Sequence, residues 1–121
     1  MRLQKLANNV SNTYKEISVF YFDLHHLFEQ VLDDPTSLPQ TAHIKNTTDN
    51  CDAYGYAMKM DLFEPSCGIP LNQYLWENSL HPTYPMHRAM AAQIAKALGG
   101  PESVETVISS TVAQAASHAV S

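Results

Sequence analysis

The chain has no surplus of positive charge: seven Lys and Arg stand against twelve Asp and Glu, a net charge of −5 with His neutral. Phosphate backbones are held by basic faces, so nucleic acid is excluded as a partner. There is no run of about 18 apolar residues, so no segment reads as a membrane span. Only two cysteines are present, Cys51 and Cys67. No Cys or carboxylate cluster completes a metal site around His25-His26, and adjacent helical residues face about 100° apart, which suits chelation poorly. Asp49, Asp52 and Asp61 fit no calcium-loop spacing. No metal and no organic cofactor is therefore expected. The N-terminus, Met1-Arg2-Leu3-Gln4-Lys5-Leu6-Ala7-Asn8-Asn9, is too polar for a signal peptide. There are no internal repeats.

What is present suits one small domain or a piece of a larger one: 121 residues, 45% of them hydrophobic, enough for a core. Cys51 and Cys67 lie in a loop-like region punctuated by Gly and Pro, where a core thiol is less expected than a disulfide. Such a bond would close a loop worth roughly 3 kcal/mol in the chain-entropy model. Asn9-Val10-Ser11 and Asn46-Thr47-Thr48 are glycosylation sequons. Both features point outside the cell. Two free buried thiols and chance sequons would fit the same residues.

Residues 1–13 read as the end of a helix, with Leu3 and Leu6 on one face, broken by Asn8, Asn9, Ser11 and Asn12. Ile17-Ser18-Val19-Phe20-Tyr21-Phe22 is a nearly continuous β-branched and aromatic run, as in a strand buried on both faces. Asp23 ends it and reads as the N-cap of a helix over 24–32, where Leu24, Leu27, Phe28, Val31 and Leu32 recur at helical spacing, or as a functional group at the carboxyl end of a strand. Asp33-Asp34-Pro35 stops that helix. Residues 35–73 form a long irregular stretch of the kind that is functional or tied down. Pro85 opens another helix, with Met86, Met90, Ile94 and Leu98 as its stripe and Gly99-Gly100 as its stop. Residues 102–118 predict a last Ala-rich helix carrying Val104, Ile108, Val112 and Ala115 on one side. Met58 and Met60, like Met86 and Met90, read as core filler. Tyr54, Tyr56, Phe63 and Tyr74 fit a sugar-binding wall or loop packing equally well.

Strand, helix, long loop, helix is half of an α/β layer architecture, and one strand cannot make a sheet. The chemistry concentrates in Asn78-Ser79-Leu80-His81-Pro82-Thr83. A histidine that moves protons for a nucleophile needs a partner on its other ring nitrogen, and a residue three positions earlier on a short loop can supply it. His87 reads as a solvent-facing helix position.

The block Tyr74-Leu75-Trp76-Glu77-Asn78-Ser79-Leu80-His81-Pro82-Thr83-Tyr84, followed by a helix, resembles the last conserved block of the GDSL/SGNH ester hydrolases. The nearest resemblance is to fungal secreted acetylesterases like those of carbohydrate esterase family sixteen. It covers roughly residues 1–100 and leaves 101–121 as a helical extension or tail. It implies the C-terminal part of a flavodoxin-like three-layer α/β/α fold, incomplete in this chain. It also implies an extracellular parent lineage and a small-acyl ester of a carbohydrate as substrate. His81 matches the base, and Asn78 stands where an acidic residue is expected.

Two departures accompany it. No Gly-Asp-Ser nucleophile block and no Gly-x-Asn-Asp block occur, and none of the ten serines sits on a glycine-flanked turn. Asn78 can orient His81 but carries no charge. Glu77 is adjacent, but consecutive residues of an extended segment point apart, so Glu77 is expected to face away. The readings are thus an ester hydrolase by lineage, a catalytically incomplete fragment or truncated paralogue, and a small secreted module stapled by Cys51–Cys67.

Overall fold

The computed structural model describes residues 2–55 and 62–99. Three α-helices occur there, α1 (Arg2–Thr13), α2 (Leu24–Asp33) and α3 (Tyr84–Ala97), with four single turns of 3₁₀-helix between α2 and α3. The chain divides into two compact units. One comprises Met1–Asp23 with Ile94–Ser121, the other Leu24–Gln93. The expected helix over 102–118 lies outside the described residues, as do Tyr56, Met58 and Met60.

In the first unit, α1 continues through Asn8, Asn9, Ser11 and Asn12 instead of breaking. Helical penalties for such residues are only a few tenths of a kcal/mol each. The backbone ladder reaches Tyr14, whose N–H donates to the Val10 carbonyl, and the Thr13 hydroxyl returns to the Asn9 carbonyl. The helix buries none of its residues. The apolar run Ile17–Phe22 does not form the expected strand: residues 18–23 have neither helix nor strand conformation. Phe20 is 63% exposed and Ile17 50%. A strand exists only where a neighbour accepts and donates its backbone hydrogen bonds. Among the described residues no strand occurs to do so; the pairing consists of two isolated bridges.

The second unit contains the core. α2 turns Leu27 and Val31 inward while Leu24 and Leu32 stay exposed. The helix stops at Asp33-Asp34-Pro35. Asp34 Oδ1 accepts from both the backbone N–H and the hydroxyl of Thr36 (2.9 and 2.6 Å), and Pro35 occupies the first position of the next turn, where its missing N–H costs nothing. The chain then folds back through Thr41, fully buried, whose hydroxyl donates to the Pro35 carbonyl (2.7 Å).

The long loop is tied as expected. Cys51 and Cys67 form a disulfide. Against it pack Tyr54, Leu71 and Tyr74, with Ile69 at the margin. Tyr54 and Tyr74 meet edge to face with centroids 6.2 Å apart. Their hydroxyls stay satisfied within the loop, Tyr54 donating to the Ile69 carbonyl and Tyr74 to the Cys67 carbonyl. The two tyrosines are core, not a sugar-binding wall, and Phe63 is exposed. α3 begins one residue before Pro85 and buries Pro85, Met86 and Ala89. The expected stripe is buried only at its start, since Ile94 and Leu98 are exposed. Gly99, at φ +101°, takes the left-handed conformation that stops the helix.

Two predictions follow from this packing. The Thr36 hydroxyl, then its backbone N–H, holds the Asp34 carboxyl below its ordinary value of 3.8. Its contribution to stability is present above that ordinary value and is lost as pH falls through the lowered folded one. Thr36→Val is expected to move the Asp34 titration, followed by NMR, back up towards 3.8. Replacing Cys51 and Cys67 together by Ser is expected to cost roughly 3 kcal/mol in denaturant unfolding; a cost near zero would show that the tyrosine core closes the loop unaided.

Candidate functional site

The site rests on three short segments of the second unit. The N–H groups of Lys45 and Asn46 both donate to the Gln73 carbonyl, and Leu75 N–H donates to the Asn46 carbonyl. This makes a parallel bridge between Asn46 and Tyr74. Leu75 in turn accepts from the Thr83 N–H (2.8 Å), and Trp76 pairs antiparallel with Pro82. Leu75 and Thr83 are completely buried. The Thr83 hydroxyl donates to the Tyr74 carbonyl at 2.6 Å. Its own carbonyl accepts from Met86 N–H, in the first turn of α3. Thr83 thus joins the start of α3 to the segment beneath the histidine loop. Trp76 adds a second clamp: its indole N–H donates to the Thr47 carbonyl (2.9 Å), and its ring stacks on Phe28 of α2 at 5.8 Å.

Between the paired ends, residues 77–81 turn tightly. Glu77 N–H donates to the His81 carbonyl (2.9 Å). Asn78 Oδ1 accepts from the backbone N–H of Leu80 and of His81, both at 2.9 Å. It also lies 3.1 Å from His81 Nδ1. Two backbone donors identify the atom facing the ring as the amide oxygen, because an amide nitrogen could not accept them. An oxygen acceptor requires the proton on Nδ1. The neutral ring then presents its lone pair at Nε2, and His81 is solvent-exposed. That is the tautomer a general base needs.

His81, Asn78, Glu77, Ser79 and Leu80 line an open depression of about 420 Å³, together with Asp52 and Gly55 from the loop that follows Cys51. The structure therefore brings together the two sequence-predicted residues, His81 and Asn78. It also brings in Glu77, which the sequence offered as a lesser substitute for the missing acid, and two residues that the sequence did not place here, Asp52 and Gly55. Glu77 contributes to the lining of the depression where the segment bends. Asp52 and Gly55 arrive through the loop closed by Cys51–Cys67, a fold-back that the cysteine pairing alone hints at.

Other candidates lie apart. His25 sits 3.7 Å from Glu29 along α2, both well exposed. His87 is exposed on α3, as expected. Among the described residues no group of three or more His, Cys, Asp or Glu could hold a metal ion, and no helix is long and apolar enough to cross a membrane. Of the two sequons, Asn9 is exposed on α1. Asn46 is half-buried, with its amide engaged by Thr48 and Asp49.

The chain matches no family model, no curated protein and no solved structure.

Thr83→Val keeps the shape but leaves the Tyr74 carbonyl without its buried donor. It is expected to lower stability by about 1–3 kcal/mol in urea unfolding, with Thr83→Ser close to wild type.

Proposed function

We propose that His81 and Asn78 are the base and the orienting residue of a Ser–His type carboxylic ester hydrolase. The observation that carries this reading is the 3.1 Å approach of Asn78 Oδ1 to His81 Nδ1 beside an open depression. The resemblance of the Tyr74–Tyr84 block to GDSL/SGNH hydrolases supplies the reaction class. In that reaction a serine hydroxyl attacks the ester carbonyl while His81 Nε2 takes its proton. The alcohol leaves with that proton, and water then releases the acid from the acyl-enzyme. Acetate or a similar small acyl group on a carbohydrate is the substrate class the resemblance favours. The disulfide is compatible with an extracellular setting.

In this reading the nucleophile and oxyanion donors belong to Gly-Asp-Ser and Gly-x-Asn-Asp blocks, which these 121 residues lack. Within the complete α/β/α hydrolase, residues 17–22 take up a strand once they have neighbours to pair with. The chain alone holds only the base side of the site. Among the described residues that line the depression, Ser79 alone carries a hydroxyl, and it sits on the histidine's own turn.

The test is hydrolysis of p-nitrophenyl acetate. The 121-residue chain and its His81→Ala variant are expected to show the same slow background. The chain expressed together with upstream coding sequence that carries a Gly-Asp-Ser block is expected to turn over, and to lose at least about 100-fold in kcat with His81→Ala. Saturable, His81-dependent activity of the 121 residues alone would place the nucleophile within them. Turnover indifferent to His81 in the extended chain would end the esterase reading.

A further inference from the structure

The amide of Asn78 is held at one end only. Its Oδ1 accepts from the backbone N–H of Leu80 and of His81 at 2.9 Å and faces the His81 ring N–H at 3.1 Å. Its Nδ2 bonds to no acceptor among the described residues, and neither does the backbone N–H of the next residue, Ser79. Donors at these distances around a carbonyl oxygen stabilise the negative charge that forms there when a nucleophile adds to the carbon. The backbone nitrogen of the following residue is such a nucleophile, and its attack on Cγ is intramolecular. Ser79 is exposed and not β-branched, which leaves that approach uncrowded. Asn78 lines the open depression, so water reaches it. Asn46 is the contrast. Its Oδ1 also takes two backbone N–H groups, from Thr48 and Asp49 at 3.1 and 2.9 Å. Its Nδ2, however, donates to the Asp49 carboxylate at 3.3 Å, whose charge opposes that of the adduct, and the β-branched Thr47 follows it.

We propose that Asn78 is a site of spontaneous deamidation, converted to aspartate within the folded turn. The Ser79 nitrogen attacks Asn78 Cγ and gives up its proton. The Cγ–Nδ2 bond breaks, and Nδ2 leaves as ammonia. Water then opens the cyclic imide at Cγ: the new Cγ–N bond breaks, the Ser79 nitrogen regains a proton, and a carboxylate remains. The sum is amide and water giving carboxylate and ammonium. The donors around Oδ1 polarise Cγ and not the main-chain carbonyl of residue 78, so the ring opens to ordinary aspartate in preference to iso-aspartate. The product sets a negative oxygen where a neutral one now faces His81 Nδ1, which favours the protonated ring. The inference rests on the geometry of the turn and not on any ester being cleaved.

Ageing the 121-residue chain at neutral pH in heavy-oxygen water, followed by peptide mapping with mass spectrometry, tests this. Residue 78 is expected to lose its amide nitrogen and take up oxygen from the solvent roughly tenfold faster than Asn46 in the same molecule. It is also expected to convert faster in the folded chain than in the same chain held unfolded in urea. Aspartate is expected to exceed iso-aspartate, the two being separated by chromatography against synthetic peptides. Ser79→Val, which crowds the attacking nitrogen, is expected to slow conversion at residue 78 and leave the Asn46 rate unchanged. A rate at Asn78 no greater than at Asn46, or no greater than in urea, would overturn the proposal. An excess of iso-aspartate or an unchanged rate in Ser79→Val would do the same. No ester enters the measurement, so a chain without esterase activity can still convert, and a chain that does not convert leaves the role of His81 as it was.

Discussion

The segment that carries His81 is anchored at one buried hydroxyl. Thr83 has no exposed surface, and its side chain spends its hydrogen bond on the Tyr74 carbonyl instead of capping the helix it precedes. Its backbone N–H holds Leu75 and its carbonyl begins α3. Three otherwise separate elements are therefore pinned at a single residue: the segment after the disulfide loop, the histidine turn and the last helix. In a region with no extended ladder to share the load, one well-satisfied polar group substitutes for a sheet. The Pro-Thr that follows the histidine is thus a mechanical anchor for the imidazole two residues earlier.

Above that anchor, the turn uses the short side chain of Asn78 in two ways at once. Its oxygen closes the turn by accepting backbone N–H groups, and the same atom faces the ring. An aspartate could make the same three contacts, so the geometry is indifferent to which of the two stands there; only the charge differs. This separates two duties that a single carboxylate usually combines, orientation and charge balance. In this chain Asn78 performs the first without the second.

How much of this the sequence disclosed varies with how local the determinants are. α2 and α3 are legible because apolar spacing, Asp33-Asp34-Pro35, Pro85 and Gly99 act within a few residues. The disulfide is legible from two cysteines in a loop. The Asn78–His81 contact is legible because a spacing of three fits one tight turn. The run Ile17–Phe22 is not, because an apolar segment becomes a strand only through its neighbours, and none of the described residues provides one. α1 outlasts its four polar residues because their helix penalties are small beside a continuous ladder. Asp52 depends on the fold-back of a loop whose path no local rule describes.

The loop's cross-link carries an implication for how the site behaves in different surroundings. Asp52 and Gly55 lie within four residues of Cys51, so the part of the depression they line is tied both by a bond that thiols can open and by the Tyr54 side chain packed on Tyr74. The histidine turn, held by Thr83 and Trp76, contains no sulfur. Opening the bond would thus leave the histidine turn as it is and rest the loop around Asp52 on its two tyrosines alone.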